Sequence, residues 1–169
     1  MDDGLLSGED LKKWAKENAQ RKKKNKAGAI CLIIPNLYQG TKAAAHKNKL
    51  TEHNIDCVMS IGGGTAAAEV GGVDFVHIGA RDGVSMLHEF EETVELLHEA
   101  LEENKRCLVH CMGGFSRSPT IVIAYLMRYR DLSLVDALHV VRLSRPNASP
   151  NGELREDLVK WEEMCRGKK

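Results

Sequence analysis

The stretch from Arg106 to Tyr129 restricts the fold of this chain more than any other. Arg106-Cys107-Leu108-Val109-His110 is short and apolar in its middle, the pattern of a buried strand. Pro119 to Tyr129 is an apolar run of helical length. Between them lie only Cys111 to Ser118, mostly small residues with Gly113 and Gly114 side by side. Ser118 before Pro119 predicts a helix start, with Ser118 as N-cap and Pro119 in the first helical position. A strand end feeding a helix start through so short a loop requires an α/β setting.

That loop also has a chemistry. Unpaired backbone N–H groups and the positive end of the helix dipole face it, which suits an anion. The two glycines let the backbone curl and approach a ligand closely. Arg117, six positions after Cys111, can grip two oxygens of a phosphate dianion with its planar fork. The same positive surroundings favour a Cys111 thiolate, the nucleophilic form of sulfur. The expected cradle comprises Met112, Gly113, Gly114, Phe115, Ser116 and Arg117, with Cys111 at its base.

The remaining pattern alternates. Strands are predicted over Ala29–Ile34, Leu37–Gln39, Cys57–Ile61 and Val73–Ile78. Helices are predicted over Lys42–Glu52, Leu87–Glu103, Pro119–Arg130, Leu134–Ser144 and Asn151–Cys165. The fold class that follows is α/β, a central mostly parallel sheet with helices on both faces and the reactive loop at a strand's carboxyl end. Residues 1–28 read as a separate helical and basic extension. Ser7 to Gln20 forms an amphipathic helix with Ser7 and Asp10 as a cap pair, and Arg21 to Lys26 is a basic cluster. Residues 29–166 form the catalytic domain.

His110-Cys111-x-x-Gly114-x-x-Arg117-Ser118 resembles the signature of cysteine-dependent protein tyrosine phosphatases, and the fuller stretch to Met127 resembles the dual-specificity branch. Ile34 to Gly40 is similar to that domain's opening strand. Arg145-Pro146 with Ser149-Pro150-Asn151 is similar to the approach to its closing helix. In that helix Glu153, Leu154 and Asp157 stand where the family usually carries Gly-Phe and a Gln. By resemblance Cys111 is the nucleophile, Arg117 binds phosphate, Ser118 assists departure of the sulfur, and His110 orders the loop. The leaving oxygen needs a proton, and a carboxylic acid on a separate loop is the usual donor. From spacing alone Asp82, Asp74, Glu89 and Glu91 all compete; the resemblance selects Asp82, 29 residues before Cys111.

The implied activity is hydrolysis of phosphotyrosine and phosphoserine/threonine esters on proteins through a cysteinyl-phosphate, with no metal or cofactor. The alternatives are a phosphoprotein-binding pseudophosphatase, an RNA 5′-triphosphatase suggested by Gly114-Phe115, and a sulfur carrier of the rhodanese type. Balanced charge, 24 basic against 24 acidic residues, argues against nucleic acid. The expected partner is a phosphoprotein, with a protein kinase as a candidate through the basic cluster. Five cysteines without a regular framework point to a reducing compartment, the cytoplasm with the nucleus as alternative. No apolar run approaches the ~20 residues that span a bilayer.

Overall fold

The structure, a computed structural model, describes residue 6 and residues 8–21, 29–62 and 70–168. Strand β1 (Ile30–Ile34) turns at Pro35-Asn36 into the antiparallel β2 (Leu37–Gly40). Asn36 takes a left-handed φ of 65° to close that turn. Strands β3 (Cys57–Ile61), β4 (Asp74–Ile78) and β5 (Cys107–His110) complete a five-stranded sheet in the order β1-β2-β5-β3-β4. β2, β5, β3 and β4 are all mutually parallel, so Gly40, His110, Ile61 and Ile78 end on one edge. The loops that leave this edge build the site.

Successive side chains of a strand face opposite sides, and here both sides are covered. Val58 and Leu108 face a small cluster with Tyr38, Ala44, Ala45, Leu50 and Ile55. Cys57, Met59, Cys107 and Val109 face the main core. That core is organised round α4 (Arg117–Tyr129), in which every residue from Ser118 to Met127 is buried. Helices α3 (Leu87–Glu102), α5 (Leu134–Ser144) and α6 (Glu153–Gly167) surround it. The Trp161 indole of α6 donates to the Ala124 carbonyl at 3.0 Å and meets Phe90 of α3 edge-on, at a centroid separation of 5.5 Å. Helix α1 (Gly8–Arg21) lies on α5 and β1, with Leu11 and Ala15 in the main core. Ser7 and residues 22–28, hence the cap pair and most of the basic cluster, lie outside the described residues.

Three local expectations are corrected. Lys42–Glu52 is a 3-10 turn (Lys42–Ala45) followed by the short helix α2 (Lys47–Glu52), because His46 between them is extended at ψ 145°. The turn seats Ala44 and Ala45 against the sheet and brings the Lys42 amide to the Met112 carbonyl at 3.1 Å. Helix α6 starts at Glu153 rather than Asn151, since Gly152 at φ 52° breaks the helical path. Helix α4 starts at Arg117, with Ser116 rather than Ser118 at the N-cap position and Pro119 third in the helix. Proline still fits there, because the N–H it lacks would have had no partner in the helix. Ser118 is left free for other bonds.

Candidate active site

Backbone polarity shapes the loop. In a trans peptide a carbonyl and the next N–H point in opposite directions, so carbonyls drawn outward turn the following amides inward. From Cys111 to Ser116 every carbonyl has an outside donor. His110 Nδ1 meets the Cys111 oxygen at 3.2 Å. Lys42 N donates to Met112 O, and Ser149 N donates to Phe115 O at 2.6 Å. Arg145 Nη2 reaches Gly113 O at 3.5 Å, while Arg145 Nε and Gln39 Nε2 share Gly114 O at 2.5 and 2.9 Å. Thr120 closes the series, giving both its N–H and its hydroxyl to Ser116 O. The amides of residues 112–117 are therefore the face of the loop left for an anion, at the N-terminus of α4.

Cys111 lies at the floor, 2 % exposed. Its Sγ accepts from the Gly114 amide at 3.3 Å and lies 3.1 Å from the Ser118 hydroxyl. Gly114 must be glycine twice over. Its φ is 70°, and a Cβ there would stand 2.6 Å from Arg145 Nη2 and 2.8 Å from the Gly40 backbone.

Arg117 is held from behind. Its Nη1 donates to the carbonyls of Gly62 at 2.9 Å and Ala80 at 3.3 Å, whereas its Nε makes no bond among the described residues. The side-on edge formed by Nε and Nη2 is the one that can take two oxygens. Gly62, at φ 68°, tolerates no side chain, since a Cβ would collide with the Ala80 backbone carbonyl and stand 2.5 Å from Arg117 Nη1.

Asp82 stands exposed on the loop after β4, two residues beyond the Ala80 carbonyl that holds Arg117. Asn151 links it to the cradle: its side chain donates to Asp82 Oδ2 at 3.3 Å and its backbone N–H to Ser116 Oγ at 3.1 Å. The start of α6 holds the rest of this acid loop. Glu153 Oε2 accepts from Ser85 N at 3.1 Å, and the buried Asp157 accepts from Ser85 Oγ at 2.8 Å and Met86 N at 2.7 Å. Of the competing acids, Asp74 begins β4 at the opposite end of the strand, and Glu89 and Glu91 lie on α3, Glu91 paired with Arg128 and Lys168.

His110 is buried, and burial pushes its pKa below the ordinary 6.5, outweighing the contact with the Cys111 carbonyl, which raises it. A neutral ring whose Nδ1 faces a carbonyl carries its proton on Nδ1.

The structure thus brings Cys111, Arg117, Ser118, His110 and residues 112–116 into one cradle and sets Asp82 on the adjoining loop. Nothing in the sequence pattern alone assigns a role to Gln39, Arg145, Asn151 or Asp157. Each carried a signal: a glutamine inside an apolar strand, two positions noted only for resemblance, and an acid in place of the usual amide.

The family model of the dual specificity phosphatase catalytic domain matches residues 37–164. This chain belongs to that family. Dual specificity protein phosphatase 22 of Mus musculus is 37 % identical over 133 residues, covering 77 % of this chain and 72 % of the relative. Dual specificity protein phosphatase 1 of Arabidopsis thaliana is 37 % identical over 125 residues, 71 % of this chain and 62 % of that one. Among solved structures, human DUSP28 superposes with a TM-score of 0.76 at 28 % identity, covering 82 % of this chain and 96 % of the other. The mixed five-stranded sheet with flanking helices is the fold of these phosphatases. The chain is a protein phosphatase acting on phosphotyrosine and phosphoserine/threonine esters, and the comparisons favour none of the alternative activities. No helix among the described residues is long and apolar enough to cross a membrane.

Proposed function

We propose that Cys111 is the nucleophile of this phosphatase, Arg117 and the inward amides of residues 112–117 its oxyanion clamp, and Asp82 its acid and base. In the first step the sulfur attacks phosphorus in line, the bond to the ester oxygen breaks, and Asp82 protonates that oxygen as it leaves. In the second, water attacks the cysteinyl-phosphate, its proton passes to Asp82, and the sulfur departs as thiolate beside the Ser118 hydroxyl. Positioning and charge stabilisation supply most of the acceleration.

One observation carries this reading: the unbroken outward anchoring of the carbonyls from Cys111 to Ser116, which aims the amides at a point above a buried sulfur. Met112 and Phe115, 54 % and 41 % exposed, give the rim an apolar surface open to the substrate side chain. That openness supports access by both short and long phosphorylated side chains.

The substrate is a phosphoprotein, for which a kinase is one candidate. All five cysteines are free thiols, in keeping with action in a reducing compartment such as the cytoplasm or nucleus. Cys111→Ser is expected to abolish p-nitrophenyl phosphate hydrolysis, and Asp82→Asn to slow it by about 10²–10⁴-fold. Full activity in the serine variant refutes the assignment.

A further inference from the structure

Gln39 is a fully buried amide in the middle of β2, a strand otherwise apolar or small at its buried positions. Its Oε1 has no hydrogen-bond partner among the described residues. An uncharged side chain of this size without the amide would avoid that cost.

Its orientation is fixed by its neighbours. The Nε2 lies 2.9 Å from the Gly114 carbonyl and 3.5 Å from the Gly40 carbonyl. Carbonyl oxygens only accept, so nitrogen must stand at that position; the flipped amide would set oxygen against oxygen. The same Nε2 lies 2.8 Å from Ser118 Oγ. Its two protons thus go to Gly114 O and Ser118 Oγ.

Ser118 consequently accepts from Gln39 and has one proton of its own to give. Two acceptors are in reach, Cys111 Sγ at 3.1 Å and Gly40 O at 3.5 Å. The sulfur is the nearer, and as a thiolate it can only accept. We propose that Gln39 is a positioning residue for the second chemical step, aiming the Ser118 hydroxyl proton at the departing sulfur of Cys111. The inference rests on the catalytic reading above and adds a residue to it. In that step water forms the new P–O bond, the P–S bond breaks, its electron pair returns to sulfur, and the proton of water goes to Asp82. The Ser118 proton is not transferred; it stabilises charge that grows on sulfur only as the bond breaks, the kind of contact that lowers a barrier. Gln39 also steadies the loop through Gly114, which would affect both steps, so the test has to separate the two effects.

The experiment is rapid-mixing kinetics with p-nitrophenyl phosphate on the wild-type protein, Gln39→Leu, Ser118→Ala and the double variant, with acid-quenched phosphoenzyme measured by intact mass. Gln39→Leu is expected to lower kcat by about threefold to tenfold, the contribution of one oriented hydrogen bond. Phosphoenzyme should accumulate and KM should fall in step with kcat, while the rate constant of phosphoenzyme formation and kcat/KM stay within twofold. In the Ser118→Ala background the same substitution should cost no further loss of kcat, the mark of two residues acting as a unit. Gln39→Met serves as a second apolar variant should the leucine protein not fold. An unchanged kcat, a slower first step without phosphoenzyme build-up, or an equal loss with and without Ser118 overturns the inference. A wild-type protein without turnover overturns the catalytic reading itself, so the two failures are distinguishable.

Discussion

At the end of β5, where the cradle begins, stands His110, an imidazole with almost no contact with solvent and its Nδ1 3.2 Å from the Cys111 carbonyl. Its pKa in the folded chain is lowered by burial, against 6.5 for the free side chain. Above 6.5 both folded and unfolded chains hold it neutral. Below 6.5 the unfolded chain takes the proton first, so stability falls as pH drops, until the folded pKa is passed. The loss is at most about 1.4 kcal/mol per pH unit across that window. His110→Gln, whose amide can still donate to the carbonyl, is expected to flatten the decline of the urea midpoint below pH 6.5. An unchanged slope would mean that other groups set the acid sensitivity. A buried histidine beside Cys111 thus makes the cradle less secure in acid while its neutral form holds one carbonyl outward.

At the scale of elements, the acid loop and the start of α6 behave as one piece. Asn151, Glu153 and Asp157 together hold Asp82, Ser85 and Met86 through four hydrogen bonds. The backbone of Glu153 adds a bond to Gly83 O at 3.3 Å. Asp157 matters most here, because removing its carboxylate leaves the buried Met86 amide without an acceptor. Asp157→Ala is expected to destabilise the fold by about 1–3 kcal/mol. It should also slow hydrolysis of aryl phosphates with basic leaving groups more than those with acidic ones, since under the proposed role of Asp82 the former depend more on its proton. Equal slowing across a leaving-group series would show that α6 holds the fold without positioning the acid. Helix α6 owes this role to its start: Gly152 at φ 52° lets the chain turn from Asn151 into the helix beside Gly83.

For the molecule as a whole, α1 is continuous with the catalytic core. Leu11 is 1 % exposed, Gly8 N donates to Arg130 O at 3.2 Å, and Lys12 pairs with Asp136 of α5 at 3.2 Å. A structural role for α1 predicts that Leu11→Ala costs about 2–5 kcal/mol, the range for a large side chain removed from a packed core. It predicts further that removing residues 1–21 lowers the melting temperature and small-ester turnover together. Unchanged small-ester turnover with weaker action on one phosphoprotein would instead assign α1 to docking. Ile30 and Leu32, the apolar pair after the basic cluster, are tied into β1 beside Gly40 and Tyr38, so they are not free to follow that cluster onto a partner.

Short-range chemistry was legible in the chain by itself. Alternating apolar runs, two adjacent glycines and a Cys-x5-Arg spacing determined the strand-loop-helix unit, the sheet class and the residues of the cradle, because each depends on neighbours a few positions away. Of the boundaries that failed, Ser118 and Asn151 bond to distant residues, and the break at His46 follows a turn whose Lys42 amide donates to the distant Met112 carbonyl. The local pattern predicts a cap at Ser118 because caps are local, and only resemblance points it at the sulfur; its side chain turns to Cys111 and Gln39, and only folding brings β2 alongside β5 to present Gln39. The grip of Arg145 on Gly114, the hold of Gly62 on Arg117 and the clamp of Asp157 on Met86 join residues 31, 55 and 71 positions apart. No periodicity encodes such pairs. They exist because the parallel strands end on one edge, and there the packing decides which donor meets which acceptor.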